Sequence, residues 1–196
     1  NKVRAFVAGS EDFENQDFYG VTVAKELNAA TLTGKVYQSR MNGESVTDLA
    51  VALDADVSET VAINGELVSS DDSNADSGTL MMFGAEMKAS DAVTLTADAE
   101  MAGEDFTSVA GDLEESNDYD LYAVGAEMAL NESNTVTADY TLVANNAAGN
   151  PEDKSTIELG LENVNGAYTN NASIAMTAND SYADNTDITV IKLGTE

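Results

Sequence analysis

The groups able to do chemistry in this chain are almost all carboxylates. Asp54/Asp56 and Asp98/Glu100 stand two residues apart. Glu86, Glu127 and Glu162 each follow a glycine by two, in Gly84-Ala85-Glu86, Gly125-Ala126-Glu127 and Gly160-Leu161-Glu162. Asp139 and Glu158 complete the set. Paired carboxylates can do acid–base work, and alternating oxygen ligands can hold calcium. Asp72, Asn74 and Asp76 alternate in that way in Asp72-Ser73-Asn74-Ala75-Asp76-Ser77-Gly78. The glycine there comes one position late, and Phe83 stands where an EF-hand has its bidentate glutamate. That motif is excluded, and an ordinary acidic loop explains the stretch equally well.

Histidine and cysteine are both absent. A nucleophile activated by imidazole therefore has no base here. Disulfides and thiolate metal sites are excluded as well. Carboxylates at i and i+2 share one face of a strand, which accounts for the pairs without catalysis. The expectation is a protein that is not an enzyme and requires no cofactor. Its carboxylates would collectively attract Ca2+ or other divalent cations. The net charge of −28 rules out a basic patch for nucleic acid or an anionic membrane surface.

Strands must position these groups. In residues 91–101, Val93, Leu95, Ala97, Ala99 and Met101 alternate with Thr94, Thr96, Asp98 and Glu100. Period two means a strand with two unlike faces. Met81, Phe83, Ala85 and Met87 alternate with Gly84, Glu86 and Lys88 just before a short turn, so the unit is a hairpin. It repeats. Phe83-Gly84-Ala85-Glu86-Met87 and Leu95-Thr96-Ala97-Asp98 recur 41 residues later as Val124-Gly125-Ala126-Glu127-Met128 and Val136-Thr137-Ala138-Asp139.

Twelve strands are expected: 2–9, 17–28, 30–41, 46–57, 61–69, 78–89, 92–102, 118–131, 134–145, 154–164, 167–179 and 187–196. Short turns follow the even strands, at Ala29, 58–60, 90–91, 132–133 and 165–166. Longer polar loops follow the odd ones, with Asn42 to Ser45 marginal and 103–117 the longest. The fold class expected is all-β: an antiparallel up-and-down meander closing into a transmembrane β-barrel. Short turns would lie at one rim and long acidic loops at the other. Residues 1–196 form a single barrel domain on this reading. The start at Asn1 and the stop at Glu196, where earlier copies run on, suggest a processed chain or fragment with a truncated last strand. No apolar run is long enough for a membrane helix.

Alternation does not say which face is outside. With lipid outside, Asp54, Glu86, Asp98, Glu100, Glu127, Asp139, Glu158 and Glu162 line a wet lumen. With water outside, the apolar face fills a core and the chain is a soluble acidic extracellular β-protein, a surface-layer or adhesive module binding Ca2+ through Asp72, Asn74 and Asp76. The alternation of loop lengths and the smooth, alanine-rich apolar face favour lipid, while Lys25, Gln38 and Lys192 interrupt the alternation. The chain has no tryptophan for an interfacial girdle.

In its Ala/Val/Thr/Asp hairpins, in Leu121-Tyr122-Ala123-Val124-Gly125-Ala126-Glu127-Met128 and in the terminal Ile188-Thr189-Val190-Ile191-Lys192-Leu193-Gly194-Thr195-Glu196, the chain resembles the barrel portion of outer-membrane porins, in particular those with an N-terminal S-layer-homology anchor. The terminal aromatic residue on which such barrels usually close is missing. The resemblance implies a bacterial outer membrane location and outer-membrane lipid as the surrounding phase. It implies a narrow passive channel or a structural envelope protein, alone or associated as a homo-oligomer or with other envelope proteins. The acidic lumen makes small cations or small solutes the expected cargo.

Overall fold

The structure, a computed structural model, describes residues 2–9, 16–41, 44–73, 76–109, 118–146, 153–180 and 187–195. Twelve strands form: β1 (Lys2–Gly9), β2 (Gln16–Glu26), β3 (Ala30–Met41), β4 (Glu44–Ser58), β5 (Val61–Asp72), β6 (Gly78–Ser90), β7 (Val93–Ala102), β8 (Tyr119–Asn131), β9 (Asn134–Asn145), β10 (Asp153–Asn165), β11 (Tyr168–Asp180) and β12 (Ile188–Thr195). They make one sheet whose hydrogen-bonded order is the chain order, an antiparallel meander without crossovers. No helix occurs among the described residues. Each strand end lies within three residues of its expected position, because the period-two signal runs to the end of nearly every strand.

The short connections are built alike. Three two-residue turns are held by the side chain just before them. Ser58 Oγ accepts from the Thr60 N–H at 3.2 Å, Ser90 Oγ from the Ala92 N–H at 3.3 Å, and Asn131 Oδ1 from the Ser133 N–H at 2.9 Å. A short polar side chain bonding two residues ahead offers the backbone a ready-made reversal. In the turn after β10, Gly166 instead takes φ 64°, left-handed backbone that glycine adopts without a Cβ clash.

One expectation is corrected. The connection between β3 and β4 is only two residues, 42–43, as short as the turns at the other end. Pairing runs on at both ends, to Met41 opposite Glu44, and consumes the residues assigned to the loop. The sheet order has two ends. Among the described residues β1 pairs only with β2 and β12 only with β11, so the closing ladder of a barrel is not observed. Both are eight-residue strands.

By internal packing the chain divides into two units. One comprises Asn1–Val57, Ala62–Phe83 and Glu100–Tyr119; the other comprises Ser58–Val61, Gly84–Ala99 and Asp120–Glu196.

Candidate functional site: the carboxylate face

Residues directly opposite in a ladder share a face. Register therefore sorts the side chains of β1 to β4 and of β9 to β12. Ile157 pairs with Tyr140 and Met176, and Leu159 with Ala138 and Ile174, which defines the apolar face. Glu158 pairs with Asp139 and Glu162 with Asn171, which defines the other. Lys192 lies opposite Ser173 and so belongs to the carboxylate face. It keeps the alternation that it was expected to interrupt. Gln38 does sit on the apolar face, opposite Tyr19 and Thr47, and there its amide nitrogen donates to Thr47 Oγ1 at 3.0 Å.

Many large side chains of the apolar face are exposed. Leu49 is 55%, Val51 56% and Val124 55% accessible, and Phe83, Leu159 and Leu161 are exposed too. The buried side chains lie on the carboxylate-bearing face: Asp48, Ala50, Ala52, Val68, Ser70, Leu80, Ala102, Tyr119 and Val143.

Within the first unit that face is filled. Residues 103–109 fold back over it. Val109 N–H donates to Asp48 Oδ2 at 2.8 Å, and Thr107 N–H donates to Ser70 Oγ at 3.1 Å. Ser70 has no accessible surface. The Ser73 N–H to Ser45 C=O bond at 2.9 Å sets the register that brings Asp48 opposite Ser70. Phe106 is buried against β6, where Gly78 makes room: a Cβ there would come within 2.2 Å of the Phe106 backbone nitrogen. Tyr119 O–H donates to Glu100 Oε1, so one candidate lumen carboxylate is engaged in packing. Phe18 and Tyr37 stack with ring centroids 6.2 Å apart. Lys35 reaches across β4 to Glu66, 2.6 Å away, with both side chains mostly buried. The bridge passes a strand whose inward residues are Ala50 and Ala52, small enough to allow it.

Within the second unit Val143 is buried on this face, and the face is more open around Gly160. Asp139 and Glu158 are directly opposite each other. Gly125 sits between β7 and β9, where a Cβ would meet Thr96 Oγ1 at 2.5 Å and Asp139 Oδ1 at 2.6 Å. Gly160 lies under Thr137, whose Oγ1 would be 2.4 Å from an added Cβ. The glycines of the repeat thus receive hydroxyl and carboxyl side chains leaning from neighbouring strands. A hollow of about 440 Å3 opens over Gly160.

Of the remaining candidates, Asp54, Glu86, Asp98 and Glu127 are exposed on β4, β6, β7 and β8. Glu162 is flanked at its own level by Thr135 and Asn171, so hydroxyl and amide groups separate it from other carboxylates. Asp72 is half-buried and Asp76 exposed, while Asn74 lies outside the described residues. No group of three acidic, histidine or cysteine side chains able to hold a metal occurs among the described residues. Asp48, Ser70 and Phe106 were not legible as partners. Asp48 accepts from a backbone N–H 61 residues away, a bond that leaves no mark on the side-chain pattern.

No family model matches the chain, and no curated protein does. Among solved structures, a KdgM porin in complex with disordered oligogalacturonate is 8% identical, with a TM-score of 0.45 over 92% of each chain. A structure from work on in-meso crystallization of membrane proteins is 12% identical, with a TM-score of 0.38 over 98% of this chain and 79% of that one. Likeness at this level leaves function to be argued from the residues themselves.

Proposed function

We propose that the chain is a transmembrane β-barrel of a bacterial outer membrane. Its apolar face meets lipid, and its carboxylate face lines a narrow, water-filled, cation-preferring passage. One observation carries the reading: the large apolar side chains are exposed, while the buried ones lie on the face that bears the carboxylates. A protein surrounded by water rarely leaves a contiguous apolar face uncovered. The reading as a soluble acidic module requires the opposite, with Val51, Phe83, Val124 and Leu159 in a core. Strands of 8 to 15 residues suit a span of about 9–11 tilted residues. Closure of β1 on β12 belongs to the proposal, as does the kinship with S-layer-homology porins.

Cation preference follows from charge. Glu86, Glu127, Asp139, Glu158 and Glu162 face the passage, and a low-dielectric wall focuses their field. An oligogalacturonate is a polyanion, which such a face repels. The segment 103–109 narrows the space available, and a mainly structural envelope role follows if it closes the passage. Conductance in a planar bilayer across a KCl gradient separates these readings. The expected result is discrete steps with a cation-selective reversal potential, reduced when Glu86 and Glu127 are replaced by Gln. A protein that inserts without steps supports the structural role. One that stays monomeric in buffer without detergent and never inserts overturns the membrane assignment.

A further inference from the structure

We infer that the hollow over Gly160 is a binding subsite for a small zwitterionic solute, one carrying an ammonium and a carboxylate a few ångström apart, as an amino acid or dipeptide does. The inference rests on the carboxylate face being a water-filled passage, and it names the class of solute that this face holds.

The ladders lay the site out as a grid. Asp139, Glu158, Ala175 and Val190 form one row across β9 to β12. Thr137, Gly160, Ser173 and Lys192 form the next, and Thr135, Glu162, Asn171 and Gly194 the third. The middle row has nothing larger than a hydroxymethyl between Thr137 and Lys192. That gap is the hollow, and its volume of about 440 Å3 falls in the range of small-molecule sites. Neighbouring strands lie about 4.8 Å apart, so Lys192 is rooted about 10 Å from Gly160. Glu158 and Glu162 flank the glycine about 7 Å away along β10 on either side.

Charge supplies the chemistry. Like charges directly opposite in a ladder repel, and Asp139 and Glu158 are so placed. The ion pairs among the described residues are Lys2–Glu26 and Lys35–Glu66. Asp139, Glu158, Glu162 and Lys192 take part in neither. The carboxylate corner fits an ammonium, which brings three donors, and Lys192 at the far side fits a carboxylate. Thr137, Ser173 and Asn171 offer hydroxyl and amide groups to whatever joins the two ends. No aromatic ring lines the hollow to stack on a sugar. A bare divalent cation would use the carboxylates but gain nothing from the nearby Lys192 ammonium.

The test is saturation-transfer NMR on the full chain in detergent, with three probes that share one dipeptide backbone. Alanyl-alanine is the zwitterion, its N-acetyl derivative the anion and its amide the cation. The zwitterion is expected to bind at least five-fold tighter than either derivative. Lys192→Gln should weaken the zwitterion five-fold and strengthen the amide. Glu158→Gln should weaken both, and Gly160→Ala, whose Cβ would meet Thr137 Oγ1 at 2.4 Å, should weaken the zwitterion by displacing Thr137 within the hollow. Equal binding of all three probes, or no change of sign between zwitterion and amide in Lys192→Gln, overturns the subsite. So does displacement of nothing but Mg2+ or Ca2+ by these variants. Bilayer conductance without dipeptide binding removes the subsite and leaves the passage standing. Dipeptide binding without conductance leaves the subsite on a water-reached face and gives the barrel the structural role.

Discussion

Single residues on the carboxylate face decide how much of it stays open, and glycine shows this most sharply. A Cβ on Gly78 would lie 2.2 to 2.3 Å from backbone atoms of Asp105 and Phe106, which cannot swing aside. A Cβ on Gly125 would meet only side-chain oxygens of Thr96 and Asp139, and one on Gly34 would meet nothing within 4 Å. Gly78→Ala is therefore expected to lower the urea midpoint clearly and expose Phe106. Gly125→Ala should cost less, and Gly34→Ala should leave the midpoint nearly unchanged. Equal effects at the three sites would remove the close approach of residues 103–109 to β6. Asp48 is the other decisive residue. It is buried, one oxygen holds the Val109 N–H, and Oδ1 has no hydrogen-bond partner among the described residues. Asp48→Ala orphans that N–H at a cost of about 1–3 kcal/mol. Amide exchange at Val109 should accelerate while exchange within β10 does not.

At the scale of the element, the strand was the legible object. Val93, Leu95 and Ala97 against Thr94, Thr96 and Asp98 is a pattern only a two-faced strand satisfies, and β7 formed there. The hairpin turns were legible from the polar residues at 58–60, 90–91 and 132–133; Ser58 and Ser90 serve there as acceptors, and so does Asn131, which was read as the last residue of its strand. Other features left weaker traces. Lys192 looked like an interruption because Ile188 and Val190 share its face, and only the ladder to Ser173 placed it. The inward course of residues 103–109 was not legible. Its anchors are backbone N–H groups, and a backbone group carries no residue identity. The turn after β10 offers a test at this scale. Gly166 has φ 64°, so Gly166→Val should destabilise that hairpin by about 1–2 kcal/mol. The measurable result is faster amide exchange at Val164, whose N–H bonds to the Ser133 carbonyl at 2.8 Å. Unchanged exchange would mean that the turn relaxes into another geometry.

For the whole molecule the question is which phase each face meets. The sequence defined both faces but was symmetric between them, since alternation reads the same with lipid or a core on the apolar side. The proposal breaks the symmetry with the exposure of large side chains on that side. The chain has no cysteine, so single cysteines along β10 report without background. Ile157, Glu158, Leu159, Leu161 and Glu162, each replaced by Cys in turn in protein reconstituted into lipid vesicles, sample both faces of one strand. Cysteines at 158 and 162 should react with a membrane-impermeant maleimide delivered through the passage. Those at 157, 159 and 161 should resist it and, once carrying a fluorophore, be quenched by nitroxide-labelled lipid. Uniform reaction at all five positions, or lipid quenching at 158 and 162, would contradict the assignment of the apolar face to lipid.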